Sequence, residues 1–191
     1  MIAVGIDPGT RHLGWGVVTR TGSTLGHVAH GVIHPDPRLS LACRLQCIEQ
    51  ELSAVLARHR PDVGSVETLF FHKDAQGAAK LGHARGVVLL SLARAGIEVA
   101  EYAPARVKRT VVGSGRADKR QVAMMIRALF GLAEAPSSDA ADALALAVTH
   151  LRLGNLAPIL GGGSRLPDNP LLAALMRAGR RRRKTSRGLR I

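Results

Sequence analysis

Three short β-prone runs at the start of the chain constrain its fold more than anything that follows them. Residues 2–7 read Ile-Ala-Val-Gly-Ile-Asp and stop at Pro8 and Gly9, residues 13–19 form a second run, and residues 25–33 a third. Short β-branched and apolar runs separated by turn residues predict an antiparallel meander. Leu39, Leu41, Leu45, Ile48, Leu52, Val55 and Leu56 then recur at helical spacing until Pro61 stops the pattern. A strand is expected over 63–67. It is followed by a helix over 74–94 with an apolar stripe of Ala75, Ala78, Leu81, Ala84, Val88 and Leu92, and by a fifth strand over 97–102. Beyond Pro104 the pattern predicts a short helical stretch through Val107, a turn at Gly113 and Gly115, a helix over 119–130 and a last helix over 137–153. A meander followed by alternating helices and strands indicates an α/β domain, a five-stranded mixed sheet flanked by helices.

The 191 residues carry a net charge of +13, but the charge is unevenly placed. Residues 155–191 hold nine Lys and Arg against one acid, leaving +5 for the remainder. One domain over 1–154 and a basic, glycine-containing flexible tail over 155–191 are therefore expected. The tail contains Gly161, Gly162 and Gly163, an apolar cluster over 171–176 that could form one docking helix, and the basic run 180–184. A modestly basic domain with a strongly basic extension suits a polyanionic partner, because neutralised phosphates release counterions whatever their sequence. The other reading of the tail is a solvated charged segment. Cys43 and Cys47, four residues apart, share one face of the predicted helix and are read as small buried apolar residues rather than a disulfide. A strand-like run directly after Met1 lacks the build of a signal peptide, and no apolar run reaches the roughly 18 residues needed to span a bilayer. The expectation is a soluble cytoplasmic protein with no membrane partner.

Four acids stand beside apolar runs in this basic chain. Asp7 ends the first strand, where an adjoining loop gathers functional groups, and an Asx turn with the following backbone is the alternative. Glu67 closes the run Val63-Gly64-Ser65-Val66, where a charge is rarely buried unpaired, unless it has simply emerged into solvent. Asp139 and Asp142 lie three apart on the first turns of the last helix, hence on one side of it. Ordinary capping by Ser137, Ser138 and Asp139 is the competing account. Asp142 interrupts an Ala- and Leu-rich face, where an unpaired charge costs several kcal/mol or is neutralised. Carboxylates brought together repel and take up protons unless a cation stands between them, and hard divalent ions such as Mg²⁺ suit that place.

The order strand Asp, strand Glu, helix Asp-x-x-Asp resembles the acidic site of the ribonuclease H-like nucleotidyl-transferases. Local sequences narrow the likeness. Gly5-Ile6-Asp7-Pro8-Gly9-Thr10, Leu81-Gly82-His83-Ala84-Arg85-Gly86, Val107-Lys108-Arg109-Thr110-Val111-Val112-Gly113 and Asp139-Ala140-Ala141-Asp142-Ala143-Leu144 resemble the RuvC Holliday junction resolvases over residues 1–153, and not in the tail. The resemblance implies a ribonuclease H-like fold and a crossover junction endodeoxyribonuclease that makes paired, symmetric nicks in four-way DNA junctions. It implies Asp7, Glu67, Asp139 and Asp142 as catalytic ligands of Mg²⁺, two ions per subunit with Mn²⁺ able to substitute. Lys108 and Lys119 match family lysines near the cleavage site, where a cation steadies charge building on the phosphate. Phe70, Phe71, Lys73, Arg85 and Arg109 join those lysines as expected DNA contacts, with Phe70 placed to stack on an unpaired base and core anchoring the alternative for Phe71. A near-two-fold junction needs two active sites, so a homodimer is expected, its helix being the small-residue segment over 74–94; intramolecular packing is the other reading of that helix. The branch-migration proteins RuvA and RuvB are carried over as partners.

Three other readings compete. A ribonuclease H-like hydrolase of RNA–DNA hybrids would use the same acids on another substrate. The Asp-x-Gly-Thr turn also occurs in sugar-kinase and actin-like ATPases, for whose second nucleotide-binding half this chain is too short. A junction binder without catalysis has no reason to hold four mutually repelling carboxylates.

Overall fold

The structure, a computed structural model, describes residues 1–68 and 75–154. Phe70, Phe71, Lys73, the expected helix start at Asp74 and the whole basic tail lie outside those residues.

The three N-terminal runs form β1 (Ile2–Asp7), β2 (Leu13–Thr21) and β3 (Thr24–Ile33), followed by α1 (Leu41–His59), β4 (Val63–Glu67), α2 (Ala75–Arg94) and β5 (Glu98–Tyr102). Three helices, α3 (Pro104–Val112), α4 (Lys119–Phe130) and α5 (Ser138–Leu153), complete the domain. The sheet order is β3-β2-β1-β4-β5. The first three strands are antiparallel neighbours, whereas β4 pairs parallel with both β1 and β5. The expected five-stranded mixed sheet is therefore present, with the meander at one edge and the helical crossovers on the other side of β1. Among the described residues no helix is long and apolar enough to cross a membrane.

Side chains alternate across each strand, and each face of the sheet owns a separate core. Val4, Ile6, Val17 and Val66 pack with Ile48, Leu52 and Leu56 of α1 and Val88 and Leu92 of α2. Ala3, Val18 and Val63 face the other way, against Val107, Val111, Val122, Ile126 and residues 144–148 of α5. Along β1 the same alternation puts Gly5 and Asp7 on the α5 side with Ala3, and along β4 it puts Ser65 and Glu67 there with Val63.

Helix α5 lies unusually close to that face. A Cβ at Gly5 would collide with the Ala143 carbonyl, one at Gly14 with the Asp139 carbonyl, and one at Gly16 with the Leu144 side chain. The facing helix is built from Ala140, Ala141, Ala143, Ala145 and Ala147, all at most 1 % exposed. Glycine on the strands and alanine on the helix let backbone approach backbone, and the fully buried Ser65 hydroxyl bridges the layers by donating to the Leu146 carbonyl at 2.9 Å.

Several boundaries differ from the sequence reading for local reasons. Strand β5 starts at Glu98 because Ile97 N–H is spent on the Leu92 carbonyl and Gly96 N–H on Ala93, a Schellman-type end to α2 with Gly96 at φ 67°. Helix α3 runs past Val107 to Val112, opened by Pro104 in its first turn and stopped by Gly113 at φ 88°. The cysteines correct an expectation. Cys43 is exposed, and the half-buried Cys47 donates its thiol to Glu51 Oε1 at 3.2 Å. The core face of α1 is Ile48, Leu52 and Leu56, and the cysteines fall beside that stripe.

Replacing Gly5 by Ala drives a methyl into helix backbone that cannot rotate away, so urea unfolding should show a loss of about 3 kcal/mol or more.

Candidate active site

Four carboxylates and one ammonium converge where β1 and β4 leave the sheet. The parallel register pairs Gly5 with Ser65 and Ile6 with Val66, so one further step sets Asp7 beside Glu67 on the face that α5 covers. From above, the contact of Gly14 with the Asp139 backbone brings the first turn of α5 over the same strand ends. Asp139 and Asp142 are both half-buried there. The fifth group arrives from α4. Asp118 caps that helix in a reciprocal box, accepting from Gln121 N–H at 2.8 Å while its own N–H donates to Gln121 Oε1 at 3.0 Å. The cap fixes the first helical residue, Lys119, whose Nζ stands 3.1 Å from Asp142 Oδ2.

The electrostatics match the geometry. Asp7 is pushed up from 3.8 to about 7, first by burial and then by the charges of Asp142, Glu67 and Asp139, with Lys119 partly opposing them. Burial and charge alone set it. The backbone hydrogen bonds of an Asx turn would pull the carboxyl down, and none contributes. Lys119 shows the complement. Burial pulls its ammonium down, but the hydrogen bond to Asp142 and the charges of Asp142, Asp7 and Asp139 outweigh it, so the net shift is upward. Ser137, the residue preceding α5, makes no side-chain cap. A hydroxyl cap by Ser137 is thus missing, and Asp139 is the acid in the first turn of the helix.

Among the described residues no three acidic, imidazole or thiol groups stand close enough to form a preassembled metal cage. The donor set nonetheless fits a hard divalent cation. It is all oxygen, burial and the neighbouring acids together push Asp7 up to about 7, and its ammonium counter-charge is on a mobile stem.

The remaining expected site residues are scattered. Lys108 is half-buried on α3 and is not among the charges that act on Asp7, while Arg109 is exposed on the same helix. Arg85, expected at the DNA, points inward with 7 % of its surface exposed; its guanidinium donates to the Glu67 carbonyl and pairs with Glu101 at 2.6 Å. Sequence reasoning overlooked Ser65, Glu101 and the three glycines under α5. A signal existed for each class: a hydroxyl in a fully buried strand demands a partner, and glycines inside strands mark close backbone approach. Arg85 also carried one, since it falls at helical spacing with Leu81, Val88 and Leu92 of the buried stripe.

A proton held by Asp7 favours the folded state fully below the unfolded pKa near 4, and this contribution is lost as pH rises through about 7. Asp7→Asn should therefore be more stable than the parent at pH 8 in EDTA, by on the order of 2–4 kcal/mol, with the gain fading towards pH 4. Chemical denaturation at pH 5 and 8 measures it, and equal stabilities at pH 8 would refute the shift.

Comparison with known proteins bears on what such a cluster does. A family model described as Crossover junction endodeoxyribonuclease RuvC matches residues 3–150. The crossover junction endodeoxyribonuclease RuvC of Sorangium cellulosum is 58 % identical over 160 residues, covering 84 % of this chain and 89 % of that protein. The protein of the same name from Bradyrhizobium diazoefficiens is 52 % identical over 77 % of this chain and 84 % of its own. Among solved structures, T. thermophilus RuvC in complex with Holliday junction substrate superposes with a TM-score of 0.76 at 40 % identity, over 83 % of this chain and 99 % of that one.

Proposed function

The chain belongs to the RuvC family of crossover junction endodeoxyribonucleases, and from that footing we propose that it resolves four-way DNA junctions by paired, symmetric, metal-dependent nicks at the cluster of Asp7, Glu67, Asp139 and Asp142. Its ribonuclease H-like fold presents the four acids from two strand ends and one helix. The observation that carries the catalytic reading is the raised Asp7, a carboxyl pushed up to about 7 first by its burial and then by the charges of Asp142, Glu67 and Asp139. A binding surface gains nothing from that repulsion, and a site that receives cations does.

Asp7, Glu67, Asp139 and Asp142 would hold the metal, Mg²⁺ with Mn²⁺ as a substitute and two ions per subunit. Bound there, such ions supply Lewis-acid stabilisation of phosphate charge and a more acidic water. Asp7 would hold the metal as a carboxylate. Lys119, tethered by the α4 cap, balances Asp142 in this structure, and its ammonium would be within the cluster to counter negative charge on the phosphate. Lys108 and the exposed Arg109 of α3, together with Phe70, Phe71 and Lys73, are assigned to the DNA.

Two symmetric cuts call for two copies. On α2, Gly82, Gly86 and Leu90 follow one another at four-residue spacing; a Cβ at either glycine meets nothing, and Leu90 is 48 % exposed. Each interior glycine costs a helix about 1 kcal/mol relative to Ala, and no contact among the described residues offsets it. The stripe is assigned to the homodimer contact. RuvA and RuvB are the expected branch-migration partners.

A mobile synthetic four-way junction incubated beside linear duplex and an RNA–DNA hybrid, with Mg²⁺, Mn²⁺ or EDTA, tests the proposal. Paired nicks should appear on the junction alone and only with metal, and Asp7→Asn should lower the rate by at least 10²-fold, about 2.7 kcal/mol of barrier. Preferred attack on the hybrid would replace this reading by the ribonuclease one.

Residues 155–191 are assigned to sequence-independent phosphate contact. Their removal should weaken junction binding and flatten its dependence on salt, while cleavage at saturating enzyme keeps its rate. A slower single-turnover step in the truncated protein would contradict this assignment.

A further inference from the structure

Arg85 is the most deeply buried cation among the described residues, and the metal and DNA chemistry above leaves it no direct task. It projects from α2 between Ala84 and Val88, both fully buried. One terminal nitrogen of its guanidinium donates to the backbone carbonyl of Glu67, and the other pairs with Glu101 Oε2 at 2.6 Å. The pair is lopsided, with the Arg85 side chain 9 % exposed and that of Glu101 46 %. Taking a guanidinium out of water costs several kcal/mol unless its donors are satisfied, so a cation buried more deeply than its own counter-ion calls for a reason.

The two partners supply one. Glu101 lies on β5 opposite Val66, and Glu67 is the last residue of β4. Arg85 thus spans residues 69–74 and ties α2 back to the strand end that precedes them. The same peptide is held from the opposite side, where Thr68 N–H donates to the Tyr102 carbonyl at 2.9 Å. The carbonyl of Glu67 and the amide of Thr68 belong to one peptide plane, and a plane held at both atoms cannot rotate. Rotation of that plane is what would swing the Glu67 side chain off the face it shares with Asp7, since alternation along a strand depends on each peptide keeping its orientation.

We propose that Arg85 is a positioning residue for the active site: its forked guanidinium, braced by Glu101, fixes the backbone of Glu67 so that this carboxylate is presented to the metal. The inference rests on the metal-dependent reading of the acidic cluster. A planar fork is required, because two bonds diverge from two nitrogens, and the single point charge of a lysine cannot make both in the same geometry. The arrangement also joins the helix assigned to the dimer contact to a catalytic strand end through one side chain.

The test uses the full chain, with Arg85→Lys and the milder Glu101→Gln. Junction affinity is measured in EDTA, Mn²⁺ binding by electron paramagnetic resonance without DNA, and cleavage under single-turnover conditions at saturating enzyme. Arg85→Lys should bind the junction within about twofold of the parent, bind Mn²⁺ at least tenfold more weakly and cut at least tenfold more slowly, the range seen when a partner of a metal ligand is lost. Glu101→Gln should fall between the two. Weaker junction binding with unchanged Mn²⁺ affinity would make Arg85 a DNA contact and overturn the proposal. So would a lowered melting temperature with parental Mn²⁺ affinity and cleavage rate, the signature of a purely structural brace. Should Arg85→Lys fail to fold, Glu101→Gln decides alone, since its side chain is half exposed. The Mn²⁺ measurement needs no junction, so a failure of the parent to cut junctions would refute the proposed function while still judging the role of Arg85.

Discussion

The contact between α5 and the sheet is the constraint from which the site follows. Gly5, Gly14 and Gly16 leave no Cβ at the three places where α5 comes closest to the strands, and the alanines opposite them keep the layer thin. Medium-sized side chains at these places would push the helix outward. A sheet and helix separated in the ordinary way would hold Asp139 and Asp142 too far from Asp7 and Glu67 to repel them. The packing that makes the core dense therefore also makes the carboxylates costly to one another. That cost is the electrostatic property the proposed metal chemistry would use.

Two cations of different character stand at the site. Lys119 stands on a capped helix start and pairs with Asp142 while 65 % of its side chain remains in solvent, so its contact is easily exchanged. Arg85 is buried and forked, and its contact holds a peptide in place. One tunes charge within the cluster, and the other holds the scaffold beneath it. Substituting either type for the other would fail, because a lysine lacks the fork and an arginine at the helix start would fill the cluster with a wide planar group.

Much of this was readable from the chain itself. The meander, the two central helices, the last helix and the four acids all follow from patterns whose spacing is local. Strand alternation already put Asp7 on one face of its strand, and the three-residue spacing put Asp139 and Asp142 on one side of theirs. Other features read ambiguously. The motif from Leu81 to Gly86 is the same string whether its arginine points to DNA or inward, and the rotation of α2 about its axis decides which. The cysteines of α1 show the same limit, since two neighbouring helix faces compete for the core and only the packed sheet selects Ile48 over Cys47.

By itself, then, the sequence determined the elements, their order and the chemical character of the site, because periodicity, turn residues and the scarcity of acids act within a few residues of each other. Only the tertiary structure decided which carboxylates stand close to Asp7, which lysine faces them and that Arg85 reaches the backbone of Glu67. Those properties arise between residues far apart in the chain. They depend on separations of a few ångströms set by helix–sheet packing, and Coulomb and hydrogen-bond energies change too steeply over such distances for spacing along the chain to specify them.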